Sequence, residues 1–193
     1  MVVTIGAIAA LGGYHVIGRN GPAVLLIIAA VSIQSGLVEE IIIRGIFFRF
    51  TEQWLGSWAA LISSAALFGA LHLANPNATP LAAFAIAIEA GILLAAIYMV
   101  TRRLWAAIGL HMAWNFTQGG IFGVAVSGND IKGLLISQSS GSPLVSGGQF
   151  GAEASVPAML ICTAIGLYFL RRAHREGQFV RASWHRFKTG EAG

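Results

Sequence analysis

The feature that most constrains this chain is a series of long stretches with almost no charge. A helix of about 20 apolar residues can cross a bilayer, and 10% of this chain is charged, where a soluble domain has about 25%. We therefore expect an all-α, polytopic membrane helix bundle of about six transmembrane helices. A soluble globular enzyme, a disordered protein and a nucleic-acid-binding protein are excluded. The helices are predicted over 2–17, 22–50, 57–74, 79–100, 104–126 and 154–172.

Composition divides the chain into four parts. Residues 1–21 are expected to form an N-terminal helix that is a full or a partial span, and residues 22–126 a core of helices. The stretch 127–155 contains six Gly and seven Ser, which predicts a long loop. Residues 156–193 are predicted to be a membrane helix followed by a basic cytoplasmic tail. This tail is expected to lie on an anionic membrane surface, with a frayed polar tail as the alternative.

Basic residues predict the orientation of the bundle. If six helices alternate in direction, one face of the membrane carries nine basic residues and the other carries Arg19 and Lys132. Because cytoplasmic segments are enriched in Arg and Lys, we expect both termini in the cytoplasm and the Gly/Ser stretch outside. The nine residues are Arg49, Arg102, Arg103, Arg171, Arg172, Arg175, Arg181, Arg186 and Lys188.

Ionisable side chains inside the predicted helices are few and grouped. Each costs roughly 2.5–3.5 kcal/mol to insert, so each needs a reason. Glu40 and Arg44 are four residues apart and can pair along one helix face. Glu39 lies about 100° around that helix and is left outside the pair. The polar set is Glu39, Glu40, Arg44, His72, Glu89, His111 and Asn115.

Spacing predicts that four of these groups converge. Glu39 and His72 are 17 and 16 residues from the turn near Gly56, so they lie at similar depth in the membrane. His111 lies at the same depth if this turn protrudes from the membrane into the cytoplasm. A carboxylate and an imidazole can deprotonate a water, while a second imidazole and the Asn115 amide can donate to an oxyanion. These groups meet the needs of peptide hydrolysis without a covalent intermediate.

A metal offers a second interpretation of the same residues. Glu39, His72 and His111 could hold zinc with an open position for water. The helical H-E-x-x-H motif is absent, and Cys162, the one cysteine, lies in an apolar run, so no thiolate cluster is expected.

Each candidate also has a structural interpretation. Glu39 could bond a neighbouring helix, each histidine could be an interhelical contact, and Asn115 could join two helices. Phe68 is expected to pack beside His72. Glu89, deeper than His111, is expected to have a structural or water-holding role.

Three strings carry a resemblance to a known family. EEIIIR (39–44), FGALH (68–72) and HMAWN (111–115) follow one another on successive apolar helices. They resemble the E-E-x-x-x-R, F-x-x-x-H and H-x-x-x-N motifs of the CPBP family, which comprises the CAAX proteases and bacteriocin-processing (Abi) enzymes. The resemblance covers roughly residues 30–125, and 98–119 looks like the bacterial branch.

The resemblance implies a fold, a mechanism and a location. The fold is a helix bundle around a cavity open toward the cytoplasm, here in a bacterial cytoplasmic membrane. Glu39 would activate water with help from His72, and His111 and Asn115 would form the oxyanion hole. No cofactor is required, with zinc as the alternative because the family is often labelled as metalloproteases. Glu40 and Arg44 would be a structural pair.

The resemblance also bears on partners. The expected substrate is a peptide or a protein tail beside membrane lipid, such as a leader or bacteriocin-like peptide, and prenylation is not implied for the bacterial branch. Two other functions use the same polar groups. One is a non-enzymatic partner, such as a bacteriocin-immunity or scaffold protein. The other is a small proton-coupled transporter, for which the sequence shows no inverted repeat.

Overall fold

The computed structural model describes residues 1–184. The basic tail residues Arg186 and Lys188, with Phe187, lie outside the described residues. The elements in chain order are α1 Val2–Ala10, β1 Tyr14–Arg19, α2 Val24–Leu55, α3 Ser57–Ala74, α4 Pro80–Thr101, α5 Leu104–Asn115 with a π-helical continuation Phe116–Ile121, β2 Leu135–Ser139, α6 Pro143–Ser146 and α7 Val156–Arg175.

Four helices among the described residues are long and apolar enough to cross a membrane: α2, α3, α4 and α7. The prediction of a membrane helix bundle is thereby confirmed, while the number of six spans stays a prediction. The nine residues of α1 are fewer than the roughly 20 that a span needs. The polar residues of α5, His111, Asn115 and Gln118 among them, lower its hydropathy below that of the four.

Local chemistry explains where the long helices begin and end. Thr79 caps α4 by accepting a hydrogen bond from the Ala82 N–H at 3.1 Å, and Pro80 occupies the first turn, where its missing N–H has no consequence. The α4 helix ends at Thr101, because the next residue, Arg102, has a left-handed φ of +53°. Ser155 caps α7 in the same way as Thr79 caps α4, with 3.2 Å to the Ala158 N–H.

The N-terminal region differs from its prediction. The helix expected over 2–17 stops at Ala10, because Gly12 turns the backbone to a φ of +76°. The chain then forms β1, which pairs antiparallel with β2 from Tyr14 opposite Ser139 to Arg19 opposite Leu135. The stretch expected to be a loop therefore contains a strand, a short helix α6 and a 3-10 turn, Ala152–Ala154.

The helices pack so that α2 lies against α5, α3 against α4, and the second half of α4 against α7. The core contains Phe48, Phe68 and Tyr98, whereas Leu26 and Ile62 are exposed on the outside, as suits helices that face lipid. Gly36 allows the α2–α5 contact, since a Cβ there would lie 2.6 Å from Met112 Cγ. This close approach brings the adjacent residues Glu39 and Glu40 of α2 beside His111 of α5.

Candidate active site

Glu40 is the centre of a buried polar cluster. Its Oε1 accepts hydrogen bonds from Arg44 Nη1 at 2.8 Å and from His111 Nδ1 at 2.9 Å. Glu40 and Arg44 are fully buried. Arg44 also donates from Nη2 to the Gly91 carbonyl at 3.0 Å. The structure thus contains the predicted pair and adds a bond to His111, so that Glu40 connects α2 to α5 and, through Arg44, to α4.

Glu39 points away from this cluster and into a cavity. Its side chain is 36% exposed, but Oε2 is buried and has no hydrogen-bond partner among residues 1–184. Glu39 Oε2 lies 4.0 Å from His111 Nε2. That distance is too long for a direct hydrogen bond and suits two groups that share a bridging water.

His72 has one ring nitrogen committed to the backbone. Its Nδ1 lies 2.7 Å from the Phe68 carbonyl oxygen. Because a carbonyl can only accept, Nδ1 carries the proton, and in the neutral ring Nε2 is an acceptor. The Phe68 ring lies 4.7 Å from the His72 ring and 6.0 Å from the His111 ring. Phe68 therefore packs against both histidines, in keeping with the packing role expected for it.

His111 and Asn115 are held from α2. The Glu40 carboxylate accepts the His111 Nδ1–H, so Nε2 carries a proton only when the ring is an imidazolium. Asn115 Nδ2 donates to Ser35 Oγ at 3.0 Å and keeps a second N–H. Sequence reasoning missed Ser35, although its position four residues before Glu39 places the two on one helix face.

Glu39, His72, His111 and Asn115 line one cavity of about 620 Å³, within the size range of ligand sites. One wall is the apolar face of the N-terminal half of α2. The opposite wall comes from residues 126–132. From the four polar residues the cavity extends toward the beginning of α2 and toward residues 126–132. It therefore reaches the end of α2 that is opposite to Leu55. The apolar wall contains Val24, Ile27, Ile28 and Val31, and the opposite wall contains Val126, Ser127, Asn129, Asp130, Ile131 and Lys132.

Glu153 is a further acidic residue beside the site. It is 2% exposed and lines a smaller cavity together with His72, His111 and Asn115. Its Oε2 accepts from Gln118 Nε2 at 2.8 Å, and Ser127 bonds both carboxylate oxygens. Burial raises the pKa of Glu153 to about 7, against the opposing effect of the bonds from Ser127 and Gln118. Sequence reasoning missed Glu153, because an acidic residue in a Gly/Ser stretch has no helical period that would place it beside the site.

Glu89 does not line either of these cavities. It is fully buried, and neither carboxyl oxygen has a hydrogen-bond partner within the described part of the chain. Its structural or water-holding role stays a prediction.

The zinc alternative concerns the same three residues. Within residues 1–184, no three His, Cys, Asp or Glu side chains are grouped closely enough to hold a metal ion. The bond from His111 Nδ1 to Glu40 leaves Nε2 as the nitrogen that could face a metal, 4.0 Å from the Glu39 oxygen. The zinc alternative stays a prediction.

Comparison with known proteins identifies a family. No curated protein matches the chain, and no solved structure matches it. A family model, type II CAAX prenyl endopeptidase Rce1-like, matches residues 21–117, which is half of the chain and includes all three motif strings. Together with the apolar helices, this match indicates an integral membrane protein from a family of proteases. The chain therefore belongs to the type II CAAX prenyl endopeptidase Rce1-like family.

Proposed function

We propose that this protein is an intramembrane endopeptidase that hydrolyses peptide or protein tails with a water activated by Glu39 and His72. The observation that carries the proposal is the different use of two adjacent glutamates. Glu40 is occupied by Arg44 and His111, whereas Glu39 presents a carboxylate oxygen without a hydrogen-bond partner among the described residues to the cavity that both histidines line.

The first step is removal of a proton from water. The His72 Nε2 lone pair and the Glu39 carboxylate both face the cavity, so a water between them has two acceptors. Its oxygen attacks the peptide carbonyl carbon while Glu39 takes one proton. The carbonyl π bond becomes an oxyanion, and no covalent bond to the protein forms.

The second step is stabilisation and collapse of the tetrahedral intermediate. The free N–H of Asn115 and the Nε2–H of an imidazolium His111 can donate to the oxyanion. The C–N bond then breaks, and the proton held by Glu39 moves to the leaving nitrogen. Because Glu40 fixes the His111 ring and Ser35 fixes the Asn115 amide, both donors are positioned before the substrate arrives.

The apolar wall of α2 supports a membrane-associated substrate. An extended peptide with apolar side chains can lie along Val24, Ile27 and Val31 and present its backbone to the polar wall. Leader peptides, bacteriocin-like peptides and the tails of membrane proteins fit this description. The bacterial origin and the cytoplasmic location of both termini belong to the same proposal.

The experiment uses the purified protein in liposomes together with a library of membrane-anchored peptides, and mass spectrometry identifies new peptide ends. We expect cleavage by the wild type and loss of at least ~10²-fold in His72→Gln, which removes a base. The matched control is Glu176→Gln, which changes an exposed acid paired with Arg172. Cleavage should persist after exhaustive chelation. Activity lost to a chelator and restored by one equivalent of zinc would contradict the proposed mechanism.

A further inference from the structure

Residues 126–132, which we name the wall segment, form one side of the candidate cavity. Apolar contacts hold it from one direction, because Val126 and Ile131 side chains pack against the backbone at Gly119 of α5. The rest of the segment is polar. A polar segment of this kind has little apolar area with which to offset its conformational entropy, so its position must depend on hydrogen bonds.

Two residues of the wall segment bond to the rest of the bundle: Gly128, whose N–H donates to the Phe150 carbonyl at 2.7 Å and whose carbonyl accepts from Asn77 Nδ2 at 3.2 Å, and Ser127. Ser127 is the one that bonds to a charged side chain. Its N–H donates to Glu153 Oε2 at 2.9 Å and its Oγ donates to Glu153 Oε1 at 3.1 Å. Its carbonyl accepts from Asn75 Nδ2 at 3.0 Å, from the turn after α3. Ser127 has a φ of +48°, a left-handed conformation that serine seldom adopts. These bonds therefore hold the backbone in a conformation that it would otherwise leave.

Glu153 is itself firmly fixed. It lies in the turn directly before α7, and Gln118 Nε2 joins its carboxylate to α5 at 2.8 Å. Gln118 also donates to the Ala125 carbonyl at 2.7 Å, just before the wall segment. The carboxylate thus connects the start of α7, the end of α5 and Ser127, and it takes no part in the proposed proton transfer.

We infer that Glu153 is a positioning residue that holds the wall segment against the bundle and so gives the cavity the closed side against which an extended peptide binds. The role in peptide binding rests on the proposed function, whereas the role in holding the wall segment does not.

Two substitutions separate hydrogen bonding from charge. In Glu153→Gln, an oxygen at the Oε2 position still accepts from Gln118 and Ser127 N, and the Ser127 hydroxyl can turn to accept from the new amide. In Glu153→Ala, all three bonds are lost. A positioning role therefore predicts that Gln substitutes well and Ala does not. A role for the charge itself predicts that both fail.

The position of the wall segment can be measured without any substrate. Val126 is 7% exposed, and the native Cys162 is buried. In a Cys162→Ala background, the Val126→Cys thiol should react slowly with a maleimide. Adding Glu153→Ala should raise that rate roughly tenfold or more, because three buried hydrogen bonds are lost. Adding Glu153→Gln should give a much smaller increase, and adding Glu176→Ala should leave the rate unchanged.

Thermal unfolding and size exclusion establish that each variant is folded. If Glu153→Ala does not fold, Ser127→Ala replaces it, because it removes the Oγ bond and leaves the carboxylate in place. The inference is overturned if the labelling rate of the Val126→Cys thiol does not change in Glu153→Ala, or in Ser127→Ala where that variant replaces it. An equal increase in Glu153→Gln and Glu153→Ala also overturns it, since charge would then be the cause.

Peptide cleavage gives the second readout. Because the wall segment would contact bound peptide and not the reacting atoms, Glu153→Ala should raise KM by a larger factor than it lowers kcat, and Glu153→Gln should restore KM. A kcat loss with unchanged KM contradicts the positioning role. If the labelling rates change as expected while the wild type cleaves no peptide, the proposed function fails and the holding of the wall segment by Glu153 stands.

Discussion

At the scale of single residues, the site depends on how two adjacent glutamates are partnered. A buried carboxylate that accepts two charged or polar donors is a structural group as long as its partners remain. Glu40 is in this position, whereas one oxygen of Glu39 has no hydrogen-bond partner among the described residues. The same pairing holds His111 in place, so a change at Glu40 reaches both the fold and the proposed oxyanion donor.

The two glutamates should respond differently to substitution by glutamine. Glu39→Gln should keep the fold and reduce cleavage by at least ~10²–10⁴-fold, because an amide cannot accept a proton from water. Glu40→Gln should lower stability by up to roughly 3–5 kcal/mol, since it leaves the buried Arg44 guanidinium less compensated. Thermal unfolding in detergent and turnover in liposomes measure the two effects. A stable but inactive Glu40→Gln beside an active Glu39→Gln would reverse the roles.

Glu153 should make stability depend on pH. Its pKa rises from 4.5 in the unfolded chain to about 7 in the fold, so between these values the folded state holds a proton that the unfolded state releases. Stability from this group is therefore full below about pH 4.5 and is lost as the pH rises toward 7, by on the order of 3 kcal/mol. The difference in unfolding free energy between wild type and Glu153→Gln, followed from pH 4.5 to 8, isolates the effect. A difference that does not vary with pH would contradict it.

At the scale of elements, close approach between helices sets the site geometry. Gly36 lets α2 lie against α5, and a Cβ at this position would be 3.2 Å from the Met112 backbone nitrogen as well as close to its side chain. Met112 follows His111 directly. A shift of α5 would therefore change the distances from His111 to both glutamates.

Gly36→Ala tests this contact. Overpacking should cost about 1–3 kcal/mol and lower cleavage through the displaced His111. The matched control is Gly109→Ala on α5, where a new Cβ would meet nothing within 4 Å and helix propensity should raise stability by roughly 0.5–1 kcal/mol. Thermal unfolding and turnover of both variants give the comparison. Equal behaviour of the two would show that the α2–α5 contact tolerates extra volume.

At the scale of the whole molecule, the cavity and the arginine-bearing turns lie at opposite ends of α2. The cavity reaches Val24 and Lys132, while α2 ends at Leu55, roughly 48 Å away at 1.5 Å per residue over its 32 residues. The excess of basic residues predicts that the Leu55 end is cytoplasmic. The family resemblance implies a cavity open toward the cytoplasm. These two expectations oppose each other in this fold.

Cysteine labelling decides between them. Lys132→Cys and Leu55→Cys, each with Cys162→Ala as background, are treated with a membrane-impermeant maleimide in intact cells and in permeabilised cells. The fold predicts that the two thiols are accessible from opposite faces of the membrane. The charge rule predicts that Lys132→Cys is labelled from outside and Leu55→Cys after permeabilisation. Labelling of both from one face would contradict the fold, and the reversed order would show that the cavity opens to the cytoplasm.

The sequence alone determined the helical membrane fold and the candidate polar set, because hydropathy and the i,i+4 spacing of Glu40 with Arg44 are local properties. It also indicated the family, through three short strings. The tertiary structure decided what the spacing leaves open: the bond from His111 to Glu40, the strand pairing of Tyr14 with Ser139, and the place of Glu153 beside the cavity. These contacts join residues that are far apart in the chain, from 26 positions between Ser127 and Glu153 to 125 positions between Tyr14 and Ser139. Such contacts depend on how helices and the Gly/Ser stretch pack together, and no local period in the sequence encodes that packing.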